Sequence, residues 1–229
     1  MMDRTEQLEH RIERMEAINE ILNLMNLYET YHSANRKIIP DKDDRFLKLW
    51  AQKAPNVFLE VGPMGRFDGY EGIKKHTEQI GTIEEDMTGR FFEHHITTPL
   101  IEVAGDAQTA KAMFYSPGLE THLNPKTGEI VPMWCWGRYR ADFIKEDGIW
   151  KFWRVKFHVH FCTPYAKGGW TDVPDGASEF TGGAINHDFR SDMLMYDRNR
   201  DDFDVLKMIP RPFGPYETYT DDMFVSEEF

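Results

Sequence analysis

The stretch from Met133 to Phe161 constrains the fold most, because its pattern is that of a β-hairpin. Two runs rich in aromatic and β-branched residues flank Asp147 and Gly148. An Asp-Gly pair between two such runs is a strong signal for a tight turn joining antiparallel strands. Successive side chains of a strand point to opposite faces. Each arm of the hairpin therefore has one mostly apolar face that can line a core or a pocket.

The two faces of the second arm differ in charge. The apolar face carries Trp153, Val155, Phe157, Val159 and Phe161. The basic face carries Arg154, Lys156, His158 and His160. We expect the basic face to meet solvent or another subunit. In the first arm, Tyr139 is the one polar group on a mostly apolar face.

Composition excludes several classes of protein. Hydrophobic residues make up 41% of the 229 residues, which is enough for a folded core rather than a disordered chain. A net charge of −12 disfavours a nucleic-acid partner. Two cysteines, Cys135 and Cys162, are too few for a disulfide framework or a zinc cluster. The sequence shows neither a signal peptide nor a run that could span a membrane, so we predict a cytoplasmic protein without a membrane partner.

Helical patterns precede the strand patterns, which is typical of an α+β fold. The spacing predicts a long helix over residues 5–34, a short one after Asp43 or Asp44, and a third over Tyr70–Ile83. The first turns of the long helix are expected to project and contact a partner chain. Strands are predicted over residues 57–61, 91–103 and 109–116, followed by a long connection over residues 117–132 and the hairpin.

The last third of the chain has a different character. Residues 163–229 contain 14 acidic and 6 basic residues, so they carry −8 of the total charge of −12. Apolar residues are scattered through this part without a regular period. We therefore predict one domain over residues 1–162 and an extension over residues 163–229 that packs on the domain or on a neighbouring subunit.

Several segments together resemble the SnoaL-like branch of the nuclear-transport-factor-2-like superfamily. They are Ile21–Ser33, Phe67–Ile73, His94–Pro99 with Ile101–Asp106, and Asp147–Phe152. Their order and spacing cover roughly residues 18–160. The resemblance implies a cone-shaped α+β barrel, in which a curved antiparallel sheet wraps around the long N-terminal helix and a pocket opens at one end.

The resemblance also implies candidate site residues. Compared with scytalone dehydratase-type members, the tyrosine-aspartate pair of the first helix falls on Tyr31 and His32, so histidine replaces the aspartate. The histidine of those members falls on His95, and their pocket strand falls on Gly137 and Tyr139. His95 is therefore the predicted acid–base residue, because imidazole titrates near neutral pH.

Orienting and lining roles are predicted for the remaining candidates. Tyr31, His32 and Tyr139 are expected to orient the substrate beside His95. Since neighbouring strand residues face opposite ways, only one of His94 and His95 can enter the pocket. The predicted substrate-binding residues are Trp153, Phe157, Tyr115, Val61 and His94. Glu120 is a weaker candidate because the register of its strand is open.

The function implied by the resemblance is a lyase that needs no cofactor and no metal. Its predicted substrate is a small hydrophobic aromatic alcohol, such as a lignin-derived diarylpropane diol that loses formaldehyde, or an alcohol that loses water. Two alternatives stay open, since one fold hosts many functions. They are a non-catalytic small-molecule or interaction protein, and a partner resembling the small subunit of a ring hydroxylase. A homodimer or homotrimer is expected.

Overall fold

The computed structural model describes residues 3–84, 88–124, 126–166, 169–172, 195–200 and 215–220. These residues form the helices α1 (Arg4–Ser33), α2 (Lys42–Leu47) and α3 (Gly69–Glu84), with a 3₁₀ turn at Gly62–Met64. The strands are β1 (Phe58–Val61), β2 (Gly65–Asp68), β3 (Phe92–His94), β4 (Thr97–Val103), β5 (Thr109–Leu123), β6 (Ile130–Glu146) and β7 (Ile149–Pro164). The predicted α+β class is confirmed.

The strands form one curved sheet in the order β2-β1-β7-β6-β5-β3, and β4 also pairs with β5. The sheet is open between its end strands, so it is not a closed barrel. The β1–β7 pair is parallel and the other pairs are antiparallel. The prediction of a purely antiparallel sheet was therefore wrong for β1. None of the helices in the described residues is long and apolar enough to cross a membrane.

The predicted hairpin is confirmed as β6 and β7. Asp147 and Gly148 both have positive φ angles, 52° and 79°, which suits a two-residue turn between twisted strands. The regular alternation predicted for its arms is interrupted by two register shifts. As a result Phe161 pairs with Trp136, whose ring it stacks on at 6.0 Å, and leaves the predicted apolar face.

Strand β5 is longer than predicted. Residues 117–123 continue the strand and pair with β6, so the predicted long connection is reduced to residues 124–129. Pro117 is accommodated because it lies where β5 exchanges β4 for β3 as its neighbour on that side. Its carbonyl accepts a bond from the His95 amide there, and no strand residue requires the missing N–H. The extension places Glu120 and His122 in the sheet.

The core lies between α1 and the concave face of the sheet. Tyr28 is its centre, with its ring 5.0–6.3 Å from the rings of Phe46, Trp50, Tyr139 and Phe152. Further buried contacts of the helix come from Ala17, Ile21, Leu24 and Met25. Burial of so many large side chains stabilises the helix on the sheet through the hydrophobic effect.

The basic face of β7 is buried within the chain, contrary to the expectation that it meets solvent or another subunit. Arg154 is 5% exposed and His158 is 8% exposed. Part of the cover comes from the end of the chain, where the Tyr219 hydroxyl accepts a bond from Arg154 (2.6 Å) and donates one to Asp142 (3.1 Å). Charge on one strand face therefore does not by itself identify a solvent-exposed surface.

Candidate active site

His94 and His95 leave the end of β3 in opposite directions. The side chain of His94 is 1% exposed and lies inside the concave face of the sheet. That of His95 is 56% exposed and pairs with Glu93 (2.8 Å) on the surface. The predicted placement of His95 in the pocket was therefore wrong, because the pairing of β3 with β5 directs the preceding residue inward.

His94 is fixed by polar and aromatic contacts on all sides. Its Nε2 lies 2.7 Å from Oε1 of Glu120, and its Nδ1 lies 3.2 Å from Oγ of Ser116. The rings of Phe157 and His32 meet it edge to face at 5.8 and 5.7 Å. The imidazole therefore holds one orientation.

Gly118 provides the space that the His94 ring occupies. The two residues are opposite each other in the β3–β5 ladder. A Cβ atom at this glycine would lie 2.4 Å from the Nδ1 atom of His94, which real side chains do not tolerate. Glycine is thus required here for a close approach rather than for its backbone angles.

Glu120 joins two histidines. Its second oxygen lies 2.5 Å from Nε2 of His122. Burial alone would lower the pKa of His94, but the hydrogen bond and charge of Glu120 outweigh it and raise that pKa to about 9. Burial is likewise outweighed at His122, whose bonds to Cys162 and Glu120 raise its pKa to about 10. Near neutral pH the cluster therefore contains a carboxylate between two imidazolium groups.

Glu29 is a second carboxyl group in this interior. It is 6% exposed, and the Tyr139 hydroxyl is its hydrogen-bonding neighbour. Burial raises its pKa, and the nearby positive charge of His94 opposes part of that rise. Nδ1 of His32 lies 3.9 Å from Glu29. Burial and the charge of His94 lower the pKa of His32 to about 3, so this ring is neutral.

Tyr139 packs against the aromatic side chains that border the cluster. Its ring stacks on Phe157 at 4.5 Å and meets Tyr28 edge to face at 5.6 Å. Burial, and next to it the charge of Glu29, raise the pKa of Tyr139 well above its ordinary value. Its hydroxyl is therefore neutral at working pH and can donate a hydrogen bond.

Two sets of side chains in this cluster include the donor types that zinc accepts. The ligand atoms of each set lie within 4.8 Å of one another: His94, Glu120 and Cys135 in one, and Glu120, His122 and Cys162 in the other. Such a set was not predicted from two cysteines, because the histidines and the glutamate come from other strands. In the described structure Glu120 already bonds to both histidines, and the two cysteines are free thiols opposite each other.

A small pocket lies beside the cluster, between the ends of the three helices. Its volume is about 30 Å³, and it is lined by Tyr31, His32, Lys42, Asp43, Phe46, His76, Thr77 and Ile80. His32 lines this pocket and also contacts the His94 ring. The pocket is therefore separated from the ring of His94 by the side chain of His32.

Sequence comparison identifies the domain that carries this site. A family model described as the SnoaL-like domain matches residues 13–156. The chain belongs to the SnoaL-like family. The superfamily predicted from the sequence is thereby confirmed. Among curated proteins, no sequence matches significantly.

Solved structures with the same fold are distant in sequence. A type 2 hexachlorocyclohexane dehydrochlorinase (LinA) has a TM-score of 0.55 at 15% identity, covering 69% of this chain and 94% of its own. A protein named as a scytalone dehydratase, from Novosphingobium aromaticivorans, has a TM-score of 0.54 at 19% identity, covering 68% and 91%. One named as an aromatic ring hydroxylase, from the same organism, has a TM-score of 0.50 at 16% identity, covering 66% and 94%. These likenesses show the fold of the SnoaL-like domain.

The structure brings some predicted site residues of this SnoaL-like chain together. His32, His94, Tyr139 and Phe157 meet in the cluster, and Tyr31 lines the pocket beside it. Val61 is paired with Phe157, so the two side chains share the inner face. The predicted substrate-binding role of these residues remains a prediction.

Two predicted lining residues lie elsewhere. Tyr115 is on the outer face of β5, where the guanidinium of Arg138 sits 3.9 Å from its ring centre. Trp153 occupies a bulge of β7, donates a bond to the Pro55 carbonyl (2.7 Å) and packs on Tyr219. Neither prediction of pocket lining agrees with these positions. The bulge and the unpredicted register of β5 account for both differences.

Sequence reasoning missed Glu29 and His122, and it ranked Glu120 low. A signal was present in the period of two along β5, where Ser116, Gly118, Glu120 and His122 share one face. Glu29 precedes His32 by three residues, which places both on one side of α1. The signal along β5 becomes useful only once residues 117–123 are recognised as strand.

Proposed function

We propose that this SnoaL-like protein is a lyase that removes formaldehyde or water from a small phenolic alcohol, using its own side chains as acid and base. The observation that carries the proposal is the position of His94. It is buried and held by Glu120 and Ser116, and it lies next to the helix end that presents the buried carboxyl group of Glu29. Such a pair of titratable groups in one interior is typical of an acid–base site.

His94 is the proposed acid. With a pKa of about 9 it is an imidazolium near neutral pH, so it can protonate a departing hydroxyl group. Glu120 holds its Nε2, so Nδ1, which contacts Ser116, is the atom left to bond the substrate. The 3.2 Å contact of Nδ1 with the rotatable hydroxyl of Ser116 can be exchanged for a bond to the substrate oxygen.

Glu29 is the proposed base. A carboxyl group with a raised pKa accepts a proton more readily than an exposed one. The neutral ring of His32 and the neutral hydroxyl of Tyr139 lie beside it and can orient substrate oxygens. A buried carboxyl group that can act as the base is therefore available at the end of α1.

These roles account for either proposed reaction. In a dehydration, Glu29 takes a proton from carbon while the carbon–oxygen bond breaks and His94 protonates the departing hydroxyl. In a deformylation, His94 protonates the departing benzylic hydroxyl and regains a proton from the para-phenol, so that water leaves and a quinone methide remains. Glu29 then takes the proton of the terminal hydroxyl, the carbon–carbon bond breaks and formaldehyde leaves. The electron pair rearomatises the ring to a phenolate, which takes the proton back from Glu29. Neither route needs an oxidant or a reductant.

The dimensions of the pocket set a condition on the substrate. A volume of about 30 Å³ holds about one water molecule, whereas drug-sized ligands occupy roughly 300 Å³ or more. A phenolic substrate therefore has to displace side chains that line the pocket. Tyr31 and Phe46 line it and would provide aromatic surface to such a ring.

Mass spectrometry of small molecules incubated with the purified protein tests the proposal. The panel contains phenolic diarylpropane diols, polyketide-like alcohols and steroids. We expect a product that has lost water, or one that has lost water and formaldehyde together. His94→Gln should lower its rate of formation by roughly 10²–10⁴-fold, because general acid–base groups contribute about that much. His95→Gln is the matched control, since this exposed neighbour should leave the rate unchanged.

Three outcomes would contradict the proposal. The first is turnover of wild-type size in His94→Gln. The second is recovery of every compound intact despite a thermal shift on binding, which would favour a binding protein. The third is stable co-purification with a larger iron-containing chain, which would favour a ring-hydroxylase partner.

A further inference from the structure

The first half of α1 exposes a row of large apolar side chains. Leu8 is 47% exposed, Ile12 is 53% exposed and Met15 is 66% exposed. Side chains of this kind cost free energy in water when they form a continuous patch. The opposite side of the same helix faces the sheet and is buried; its residues are Ala17, Ile21, Leu24, Met25 and Tyr28. The exposed row lies on the opposite side of the helix, because the two sets are about half a turn apart.

The spacing of the exposed row is that of a coiled coil. Residues 8, 12, 15 and 19 follow one another at steps of four, three and four, which alternates d and a positions of a heptad. Leu8 and Met15 occupy d positions, and Ile12 and Asn19 occupy a positions. The row ends there, because Leu22 at the next d position is partly buried against the core. A β-branched residue at a with leucine at d favours two strands, and a single asparagine at an a position is typical of parallel pairs.

Charges beside the row select the parallel orientation. Arg4 and Arg11 occupy g positions, and Glu9 and Glu16 occupy e positions. In a parallel pair each g residue meets the e residue five positions further along the partner helix. Arg4 then faces Glu9 of the second copy, and Arg11 faces Glu16. In an antiparallel pair g meets g and e meets e, so like charges would be opposed.

The packing of α1 on the domain allows a short helix–helix pair to be stable. Isolated helices of this length are marginal in water, because nucleation is unfavourable. Here the second half of the helix is packed on the sheet, and Arg14 ties the first half to Glu102 (2.7 Å) and to the carbonyl of Val103 (2.8 Å). The domain lies on the side of α1 opposite the exposed row. When two α1 helices pair through this row, the two domains therefore lie on opposite sides of the helix pair and do not clash.

We propose that the partner of this surface is a second copy of the same chain. The first halves of two α1 helices pair in parallel through Leu8, Ile12 and Met15. Arg4 and Arg11 of each copy form ion pairs with Glu9 and Glu16 of the other.

The test is the molar mass of the full-length protein in solution, measured by light scattering and by sedimentation over a concentration series. We expect twice the chain mass of 26.9 kDa. Ile12→Asn should raise the dimer Kd by about 100-fold or more, because two apolar side chains per dimer leave the interface. Ile38→Asn is the matched control: Ile38 is 80% exposed but lies outside the row, so the dimer should persist.

A charge exchange tests the orientation. Arg11→Glu alone and Glu16→Arg alone should each raise Kd by about fivefold, since each opposes like charges twice per dimer. The double variant R11E/E16R should restore the wild-type Kd. A monomeric wild type, a trimeric mass, a dimer indifferent to Ile12→Asn, or a double variant that is additive rather than restored would each overturn the proposal.

Discussion

Replacing Glu120 by glutamine should destabilise the protein in a manner that depends on pH. The carboxylate is buried between two histidines, with its side chain 11% exposed and that of His94 1% exposed. Glutamine keeps the size of the side chain and removes its charge. His94 then loses the interaction that holds its pKa at about 9, and burial should push that pKa below 6.5.

Proton linkage gives the direction and the size of the change in the free energy of unfolding. Because the folded-state pKa of His94 is raised above 6.5, its contribution to stability is fully present below about pH 6.5 and is lost as pH rises through 9. A difference of this size is worth about 3 kcal/mol at about 1.4 kcal/mol per pKa unit. We therefore expect the loss at His94 alone to lower the free energy of unfolding of Glu120→Gln by about 3 kcal/mol at pH 7, and by progressively less toward pH 10. The loss at His122 adds to this effect, because Glu120 also raises the pKa of His122.

Urea unfolding followed by circular dichroism between pH 6 and 10 measures this effect. Glu93→Gln is the matched control, because it removes the carboxylate partner of the exposed His95, and exposed pairs contribute about 0–1 kcal/mol. If Glu120→Gln matches the wild type at pH 7, or if it is destabilised equally at pH 7 and 10, the idea that Glu120 charges His94 is refuted.

Two further predictions concern other parts of the fold. Burial lowers the pKa of His76 to about 4, so the free energy of unfolding falls as the pH drops from 6.5 to 4. His76→Leu should reduce this fall by about 3 kcal/mol, as measured by urea unfolding at pH 6.5 and pH 4. Gly118→Ala should lower turnover about as much as His94→Gln in the same product assay, because the new Cβ would lie 2.4 Å from the ring. Gly128→Ala is the control: its positive φ of 70° makes alanine costly to stability, but no atom lies within 4 Å of the new Cβ, so turnover should be unchanged.

The parts of the fold that were predictable are those set by local pattern. The long helix, the third helix and the hairpin follow from apolar periodicity and from one Asp-Gly turn, and the structure contains all three. Order and spacing of these elements were enough for the family. These patterns can be recognised from residues that are close to one another in the sequence.

The site was less predictable because it depends on pairing between strands. Pro117 and Gly118 suggested a loop, yet the first lies where β5 exchanges neighbouring strands and the second makes room for His94. Which of two adjacent histidines points inward is decided by the register of β3 on β5. Trp153 and Phe161 were displaced from the predicted face by bulges. None of these features has a signature within a single strand.

The charges of the interior favour the protonation state that an elimination requires. Buried charge is costly unless it is compensated. The carboxylate of Glu120 compensates only one of the two positive charges of His94 and His122, whose pKa values are both raised, so one positive charge is left uncompensated. Burial raises the pKa of Glu29, and this excess positive charge opposes part of that rise and so favours the ionised carboxylate. When Glu29 takes a proton and His94 gives one up, the net charge stays constant while two buried charges disappear. Proton transfer of this kind therefore needs no new charge in the protein interior.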